Sequence, residues 1–212
     1  MKMERALTYL VGIDEAGRGP LAGPVAVGAV IIKESDCLAL FSSLPGIRDS
    51  KQLSEKRREE LYERMVFLRK ENKMSFSVGL VSHTVIDTEG IVSAVRMGIS
   101  SVLRKIEVDP HVCRVLLDGS LHAPKMFKNQ ETIVRGDETE PIISLASIAA
   151  KVVRDRKMKE LATLYPLYGF EVHKGYGTKG HYAALTMHGI SPIHRRSYLK
   201  SLQICQPKKN KV

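Results

Sequence analysis

Residues 11–24 read VGIDEAGRGPLAGP, and this stretch joins an apolar strand to an abrupt turn. The strand, predicted over residues 8–14, runs directly into two adjacent carboxylates, Asp14 and Glu15, before a Gly-Arg-Gly turn at 17–19. Carboxylates at a strand end suit a hard divalent cation, and a glycine turn lets the backbone approach a ligand closely. The stretch therefore predicts half of a metal-dependent site with a ligand-reading loop attached.

Hydrophobic periodicity around this stretch predicts an α/β fold with a mixed five-stranded sheet flanked by helices. A second strand at 25–32 follows too closely for a helical crossover, so the first two strands are expected to form an antiparallel hairpin. The other predicted strands are 74–82, 112–118 and 131–136, and the predicted helices are 54–69, 89–106, 141–164 and 181–188. The apolar face of the 141–164 helix is expected to include Leu164.

Charge is distributed unevenly along the 212 residues, whose formal net charge is +10. Residues 1–150 contain 20 basic and 20 acidic side chains, whereas residues 151–212 contain 13 basic and 3 acidic ones. Such asymmetry indicates a polyanionic partner, nucleic acid above all. The alternative is a solvated basic helix and tail that contacts nothing.

Further acids follow other predicted strands. Asp118 ends the strand at 112–118 and is followed by a glycine, as Asp137 follows Gly136. Since ligand-binding residues collect at strand ends in α/β sheets, these acids are expected to converge with Asp14 and Glu15. Clustered carboxylates repel unless a cation joins them, and an all-oxygen set favours magnesium or manganese over zinc. Taken singly, each acid also fits a turn or a helix cap.

Several motifs then resemble the signature of the ribonuclease HII family, in order from about residue 9 to residue 198. They are Asp14–Pro20, Asp49–Leu53, Asp118–Gly119, Arg135–Asp137, Ser147–Asp155, His173–Thr178 and His194–Ser197. The Gly-Arg-Gly turn differs from the turn of the related ribonuclease HIII. One departure from the family pattern is Ser120, a position at which asparagine is frequent in this family.

The resemblance implies a ribonuclease H-like fold with a small C-terminal helical subdomain and cleavage of RNA in RNA–DNA hybrids. It also implies a cut 5′ of single ribonucleotides in duplex DNA, leaving 5′-phosphate and 3′-hydroxyl ends, with roles in ribonucleotide and RNA primer removal. Two Mg²⁺ or Mn²⁺ ions would activate the water and stabilise the leaving oxygen. The implied metal-binding and catalytic residues are Asp14, Glu15, Asp118 and Asp137.

The resemblance also implies how the sugar is recognised. Gly17, Arg18 and Gly19 would detect the ribose 2′-hydroxyl through backbone groups, and Tyr176 would pack on the neighbouring deoxyribose. The 2′-hydroxyl is the group that distinguishes RNA from DNA. The candidate phosphate contacts are Lys51, Lys151, Arg154, Lys174, Arg195 and Arg196, although some of these, Arg154 in particular, also fit internal ion pairs.

The expected organisation is a catalytic core over 1–150, the end of the core and a basic helical subdomain over 151–200, and a flexible basic tail over 201–212. No apolar stretch reaches the roughly 20 residues that span a bilayer, so a cytoplasmic protein is expected, and a monomer is the default. Another metal nuclease of the same fold, such as a junction resolvase, and a non-catalytic nucleic-acid binder are the competing interpretations.

Overall fold

The computed structural model describes residues 8–47 and 53–200. One sheet contains five strands, β1 (Tyr9–Ala16), β2 (Val25–Lys33), β3 (Ser75–Val81), β4 (Cys113–Asp118) and β5 (Gln130–Ile133). Their spatial order is β3-β2-β1-β4-β5. The β1–β2 and β2–β3 pairs are antiparallel, whereas β1–β4 and β4–β5 are parallel. The predicted mixed sheet and its opening hairpin are therefore confirmed.

Helices flank this sheet. The described residues form α1 (Cys37–Ser42), α2 (Glu55–Lys70), α3 (His83–Lys105), α4 (Gly136–Thr139), α5 (Pro141–Leu164), α6 (Phe170–His173) and α7 (Lys179–His188). The N-cap predicted for α2 is confirmed, since the Ser54 side chain accepts a hydrogen bond from the Arg57 backbone N–H. No helix in residues 8–47 and 53–200 is long and apolar enough to cross a membrane.

The central strands are buried on both faces because each face meets a helix. Side chains such as Val11, Ile13 and Val27 pack against α3, while Val30 and Ile32 on the other face pack against α5 and α2. This alternation follows the two-residue period of a strand. Two glycines, at 12 and 28, let α5 lie close to the sheet, because an added Cβ would come within 2.3 Å of a carbonyl oxygen of that helix.

The helix predicted over residues 89–106 is the second part of α3, which follows a break at Gly90, where φ is 78° and ψ is 160°. The first part of α3, which begins at His83 and is capped by the Ser82 side chain, was not predicted. Leu164 is not inward, since it is 69% exposed in the last turn of α5. Helices α1, α4 and α6 were not predicted, because they have six, four and four residues and are too short to show a periodic pattern.

A separate apolar cluster joins the end of α5 to the C-terminal helices. It contains Met158 from α5, Phe170 from α6, Leu185 from α7 and Leu21 from the turn after β1. This cluster attaches the C-terminal segment directly to the Gly-Arg-Gly turn. The boundary at residue 150 stays a prediction, and α5 runs through it. The tail at 201–212 lies outside the described residues.

Candidate active site

Four carboxylates meet at one edge of the sheet because three neighbouring strands are parallel. Asp14 and Glu15 are at the end of β1, Asp118 is at the end of β4, and Asp137 lies in α4, which follows β5. All four line one pocket of about 320 Å³. The structure thus brings together the four acids that the sequence singled out.

Asp14 is the more buried of the two acids at the end of β1, and only 4% of its surface is exposed. Its Oδ1 accepts the Glu15 backbone N–H at 2.7 Å, and the Ser147 hydroxyl also donates to this carboxylate. Burial, followed by the nearby charge of Glu15, raises the pKa of Asp14 well above its ordinary value, and Asp118 adds to the effect. The site therefore accumulates negative charge that a cation would relieve.

Glu15 is held differently. Burial raises its pKa, while the guanidinium of Arg18, 3.2 Å from Oε1, opposes that rise. Its other oxygen, Oε2, is buried and has no hydrogen-bond partner among the described residues. A buried carboxylate oxygen without a hydrogen-bond donor costs free energy unless something binds it. Glu15 is therefore suited to act as a ligand of a cation.

Asp118 and Asp137 are linked through the backbone. The Asp137 N–H points at Asp118 Oδ1, 3.4 Å away, and the Ser144 hydroxyl donates to the Asp137 carbonyl. Arg135, two residues earlier, adopts a left-handed conformation with φ of 56°, which turns the chain from β5 into α4. Local backbone geometry therefore points Asp137, which is 1% exposed, into the acidic pocket.

No three acidic, cysteine or histidine side chains in residues 8–47 and 53–200 already form a cation cage. The carboxylates share the pocket walls, and one of them is engaged by Arg18. The ion pair with Arg18 involves only Oε1 of Glu15, so Oε2 is left to face a cation. Cys37 and Cys113 are free thiols, and neither lines this pocket.

The sugar-reading candidates lie beside the acids. Gly17 and Tyr176 line the same pocket, while Arg18 and Gly19 are exposed on the turn above it. The Tyr176 side chain is 40% exposed, and its ring has Lys151 Nζ and Arg154 Cζ each 5.6 Å from its centroid. An exposed aromatic ring next to a glycine turn is a suitable platform for a sugar.

Arg154 and Arg195 are not solvent-facing phosphate contacts, which corrects that expectation. Both are fully buried. Arg154 Nε donates to the Pro24 carbonyl at 2.9 Å, and Arg195 donates to carbonyls of Gly17, Arg18 and Gly23. Both guanidinium groups hold the glycine turn from below instead of facing a ligand.

Lys174 is also unsuited to bind a phosphate as it stands. It is 7% exposed, its Nζ donates to the Glu171 carbonyl at 2.6 Å, and Glu55 lies 3.6 Å away. Lys151 lines the acidic pocket and pairs with Asp155 at 2.8 Å, while Arg196 is exposed. Lys51 lies outside the described residues, as do residues 49–52 of its motif.

The sequence analysis missed two pocket residues. Arg58, on the first turns of α2, places a cation at the mouth of the acidic pocket, and Ser147 on α5 donates to Asp14. Ser147 was part of a matched motif, but it received no role. Nothing local distinguishes Arg58 from the neighbouring basic residues of its helix, so its position required the packing of α2 against α5.

Behind the pocket, His194 is 1% exposed and is expected to make stability depend on pH. Burial and the neighbouring His181 lower the pKa of His194 from 6.5 to about 4. The folded protein therefore binds fewer protons than the unfolded chain between these values, so stability is full above pH 6.5 and falls on acidification. Between pH 7 and pH 5, we expect His194 to contribute a loss of about 2 kcal/mol.

Urea unfolding at pH 5, 6 and 7 measures this loss. His194→Gln should show a flatter pH dependence, because the substituted side chain does not titrate. Equal pH dependence in both proteins would contradict the assignment. The comparison uses the slope against pH, so a constant difference in stability between the two proteins does not affect it.

Sequence comparison gives the family. The sequence pattern of the family described as Ribonuclease HII matches residues 11–201. A ribonuclease HII of Endomicrobium trichonymphae is 48% identical over 189 residues, which cover 89% of this chain and 84% of that protein. A ribonuclease HII of Clostridioides difficile strain 630 is 40% identical over 199 residues, covering 94% of this chain and 73% of that protein.

Solved structures agree with this result. The ribonuclease H2 of Pyrococcus horikoshii OT3 superposes with a TM-score of 0.68 at 26% identity, covering 89% of this chain and 93% of that one. The PCNA:RNase HII complex of Archaeoglobus fulgidus gives 0.73 at 23% identity, covering 94% and 98%. Bst-RNase HIII in complex with Mn²⁺ superposes with a TM-score of 0.60 at 17% identity, covering 93% of this chain and 71% of that one. The last two show the fold alone, whereas the pattern and the relatives place the chain in the ribonuclease HII family, whose members are ribonuclease H endonucleases acting on RNA–DNA hybrids.

Proposed function

We propose that this chain cuts the RNA strand of RNA–DNA hybrids and also cuts 5′ of single ribonucleotides in duplex DNA. The observation that carries the proposal is one pocket whose walls contain the four carboxylates, Gly17 and Tyr176. The groups proposed to read a sugar and those proposed to act on its phosphate therefore share one pocket. This is the arrangement that cleavage at a ribonucleotide requires.

The carboxylates fit divalent cations as the resident cofactor. Oxygen donors suit Mg²⁺ or Mn²⁺, and the solved ribonuclease HIII bound to Mn²⁺ shares this fold. The buried Glu15 Oε2 without a hydrogen-bond partner, and the raised pKa of Asp14, both indicate a site built for added positive charge. Two bound ions would supply an activated water and charge stabilisation at the phosphate.

The chain's own residues would then orient the phosphodiester. Asp14, Glu15, Asp118 and Asp137 would hold the cations, and Arg58 and Lys151 place positive charge at the pocket wall. Hydrolysis forms a bond between the water oxygen and phosphorus and breaks the P–O3′ bond, with one proton passing to the departing 3′-oxygen. The products carry 5′-phosphate and 3′-hydroxyl ends.

Sugar recognition would come from the turn and the tyrosine. Gly17 and Gly19 bring bare backbone to the pocket edge, which leaves room for a ribose at the distance of a hydrogen bond. Tyr176 would pack on the following deoxyribose, where an extra hydroxyl is disfavoured against an apolar ring face. Together these contacts would select an RNA-to-DNA junction.

The physiological setting is proposed on the same basis. Among the basic candidates, Lys151 and the exposed Arg196 stay proposed phosphate contacts, and Lys51 stays a prediction from its motif. One chain provides all four carboxylates and both sugar-reading segments, which supports a monomer as the working unit. We propose a cytoplasmic role in removing ribonucleotides and RNA primers from DNA.

Cleavage of a DNA duplex with one ribonucleotide tests the function. We expect a cut 5′ of the ribonucleotide with Mg²⁺ or Mn²⁺ and no cut with EDTA. End mapping should find a 3′-hydroxyl on the upstream fragment, which distinguishes enzymatic hydrolysis from alkaline cleavage, whose product is a cyclic phosphate. Equal cutting of an all-DNA duplex would favour another nuclease of this fold, and binding without cutting would favour a non-catalytic binder.

A further inference from the structure

The glycine turn is held from inside the protein by a buried arginine, Arg195. Arg195 is fully buried, and it forms no salt bridge among the described residues. Its guanidinium donates to the carbonyls of Gly23 at 3.0 Å, Arg18 at 2.8 Å and Gly17 at 2.7 Å. Burying a charge costs free energy unless the charged group is fully hydrogen-bonded. Arg195 therefore favours the one turn conformation in which all three carbonyls face its guanidinium.

The Tyr176 segment is held by a second chain of hydrogen bonds. The Ser191 backbone N–H donates to His194 Nδ1 at 2.8 Å, so the proton of the neutral ring is on Nε2. That Nε2 lies 2.9 Å from His181 Nε2, and His181 Nδ1 lies 2.9 Å from the Tyr176 carbonyl. Because a carbonyl only accepts, His181 Nδ1 carries the proton and donates to Tyr176. His181 Nε2 is then unprotonated and accepts from His194 Nε2. Both tautomers are therefore determined, and each histidine donates one hydrogen bond in the direction of Tyr176.

The two supports are adjacent in sequence and in space. His194 and Arg195 are consecutive residues, the Arg195 backbone N–H donates to the Leu21 carbonyl at 2.8 Å, and Ala22 pairs with His194 in a short bridge. The segment before Tyr176 also touches the turn directly, because the Leu21 N–H donates to the Gly175 carbonyl at 2.8 Å. A shift at residues 194–195 would therefore move both halves of the sugar-reading site.

We propose that His194 and Arg195 are positioning residues that fix the Tyr176 ring relative to the Gly17–Gly19 turn and thereby determine junction specificity. This inference rests on the proposed function, because it assigns a role to the sugar-reading groups. His194 acts through His181, and Arg195 acts on the turn itself. Neither residue lines the acidic pocket, so neither contacts the proposed metal site directly.

Two substitutions of His194 separate the effect of its hydrogen bond to His181 from the effect of losing the imidazole ring. In His194→Gln the side-chain amide reaches the position of Nε2 and can still donate to His181. In His194→Asn the shorter side chain can still accept from the Ser191 N–H, but it cannot reach His181. The exposed His188 of α7 provides the matched control, as His188→Asn.

The first measurement needs no catalysis. The chain contains no tryptophan, so Tyr176→Trp introduces one tryptophan, which can be excited selectively over the tyrosines, at a half-exposed position. In substrate-free protein, we expect lower anisotropy and red-shifted emission when His194→Asn is added, and little change with His194→Gln or His188→Asn. Circular dichroism checks that each variant is folded.

The second measurement uses natural Tyr176 and compares kcat/KM for a one-ribonucleotide duplex with kcat/KM for a hybrid. Misplacement by about 1 Å can reduce a rate about a hundredfold, so we expect His194→Asn to lower this preference by about 10- to 100-fold. Hybrid kcat should change by less than about threefold. Arg195→Lys should lower kcat/KM on both substrates, because the turn that Arg195 supports would contact a ribose in each and an ammonium lacks the planar donor fork of a guanidinium. His194→Gln should restore most of the preference.

Unchanged anisotropy with His194→Asn would overturn the inference whatever the activity shows. Retained preference in His194→Asn would also overturn it, provided that Tyr176→Ala loses preference. If Tyr176→Ala itself keeps full preference, the proposed role of Tyr176 fails instead, and the anisotropy result alone decides whether His194 holds this segment. Should Arg195→Lys not fold, the His194 pair still decides the outcome.

Discussion

Asp118→Asn and Asp137→Asn are each expected to lower kcat by about a thousandfold or more on both hybrid and one-ribonucleotide substrates. Each change removes one negative charge from the pocket that we propose to hold cations at a phosphate. Such charge stabilisation is worth several kcal/mol, of which about 4 kcal/mol corresponds to a thousandfold change in rate. The amide keeps the shape of the side chain, so the fold should persist. Single-turnover cleavage with Mg²⁺ and with Mn²⁺ measures the loss.

Duplex binding should survive these substitutions. Most affinity for nucleic acid comes from basic contacts to phosphates, so Kd in EDTA is expected to stay within about threefold of the wild-type value. Glu138→Gln is the matched control, since Glu138 is adjacent to Asp137 but pairs with Arg135 at 2.5 Å and does not line the pocket. Near wild-type rates in both aspartate variants would refute the site assignment.

These acids could be predicted from the sequence, because the end of a buried strand is marked by the change from apolar to acidic residues. Asp14 and Asp118 each follow a run of apolar residues, and the parallel pairing of β1 with β4 places their ends at the same edge. Strands β1, β2 and β4 were found for the same reason, since at least half of their residues are buried. Asp137 was recognisable mainly through its motif, since β5 has only four residues.

The buried arginines show where sequence analysis stops. Arg154 and Arg195 lie in basic segments and resemble surface phosphate contacts by type, yet both are fully buried and donate to backbone carbonyls. A carbonyl acceptor leaves no trace in the sequence, because every residue has one. The histidine chain behind Tyr176 was missed for a related reason, since its members are separated by up to 18 residues and meet only after α7 has packed.

Leu164 illustrates the complementary limit. Helical spacing placed it on the apolar face of α5, but the last turn of that helix extends beyond the cluster around Met158 and Phe170. Periodicity identifies the face of a helix, whereas the length of the neighbouring elements determines how much of that face is covered. The end of α5 therefore required the three-dimensional structure.

Among substitutions that add a single methyl group in the site, Gly17→Ala is expected to cause the largest loss of stability and of cleavage rate. Gly17 has a φ of 94°, and an added Cβ would lie 2.0 Å from Arg154 Nε. Arg154 cannot easily move away, because its guanidinium donates to the carbonyls of Pro24 and Ala22. Left-handed backbone costs a non-glycine residue about 1–2 kcal/mol, and overpacking adds about 1–3 kcal/mol.

We therefore expect Gly17→Ala to lower the free energy of unfolding by about 3 kcal/mol and one-ribonucleotide cleavage by at least about a hundredfold. Gly46→Ala separates the two causes, because Gly46 has a φ of 83° but open space around its Cβ, and it should lose only about 1 kcal/mol. Gly19→Ala meets no atom within 4 Å. It should therefore leave stability within about 0.5 kcal/mol while it weakens cleavage at the ribonucleotide. Urea unfolding and initial rates provide both quantities, and a Gly17→Ala protein no less stable than Gly46→Ala would show that Arg154 does not constrain the turn.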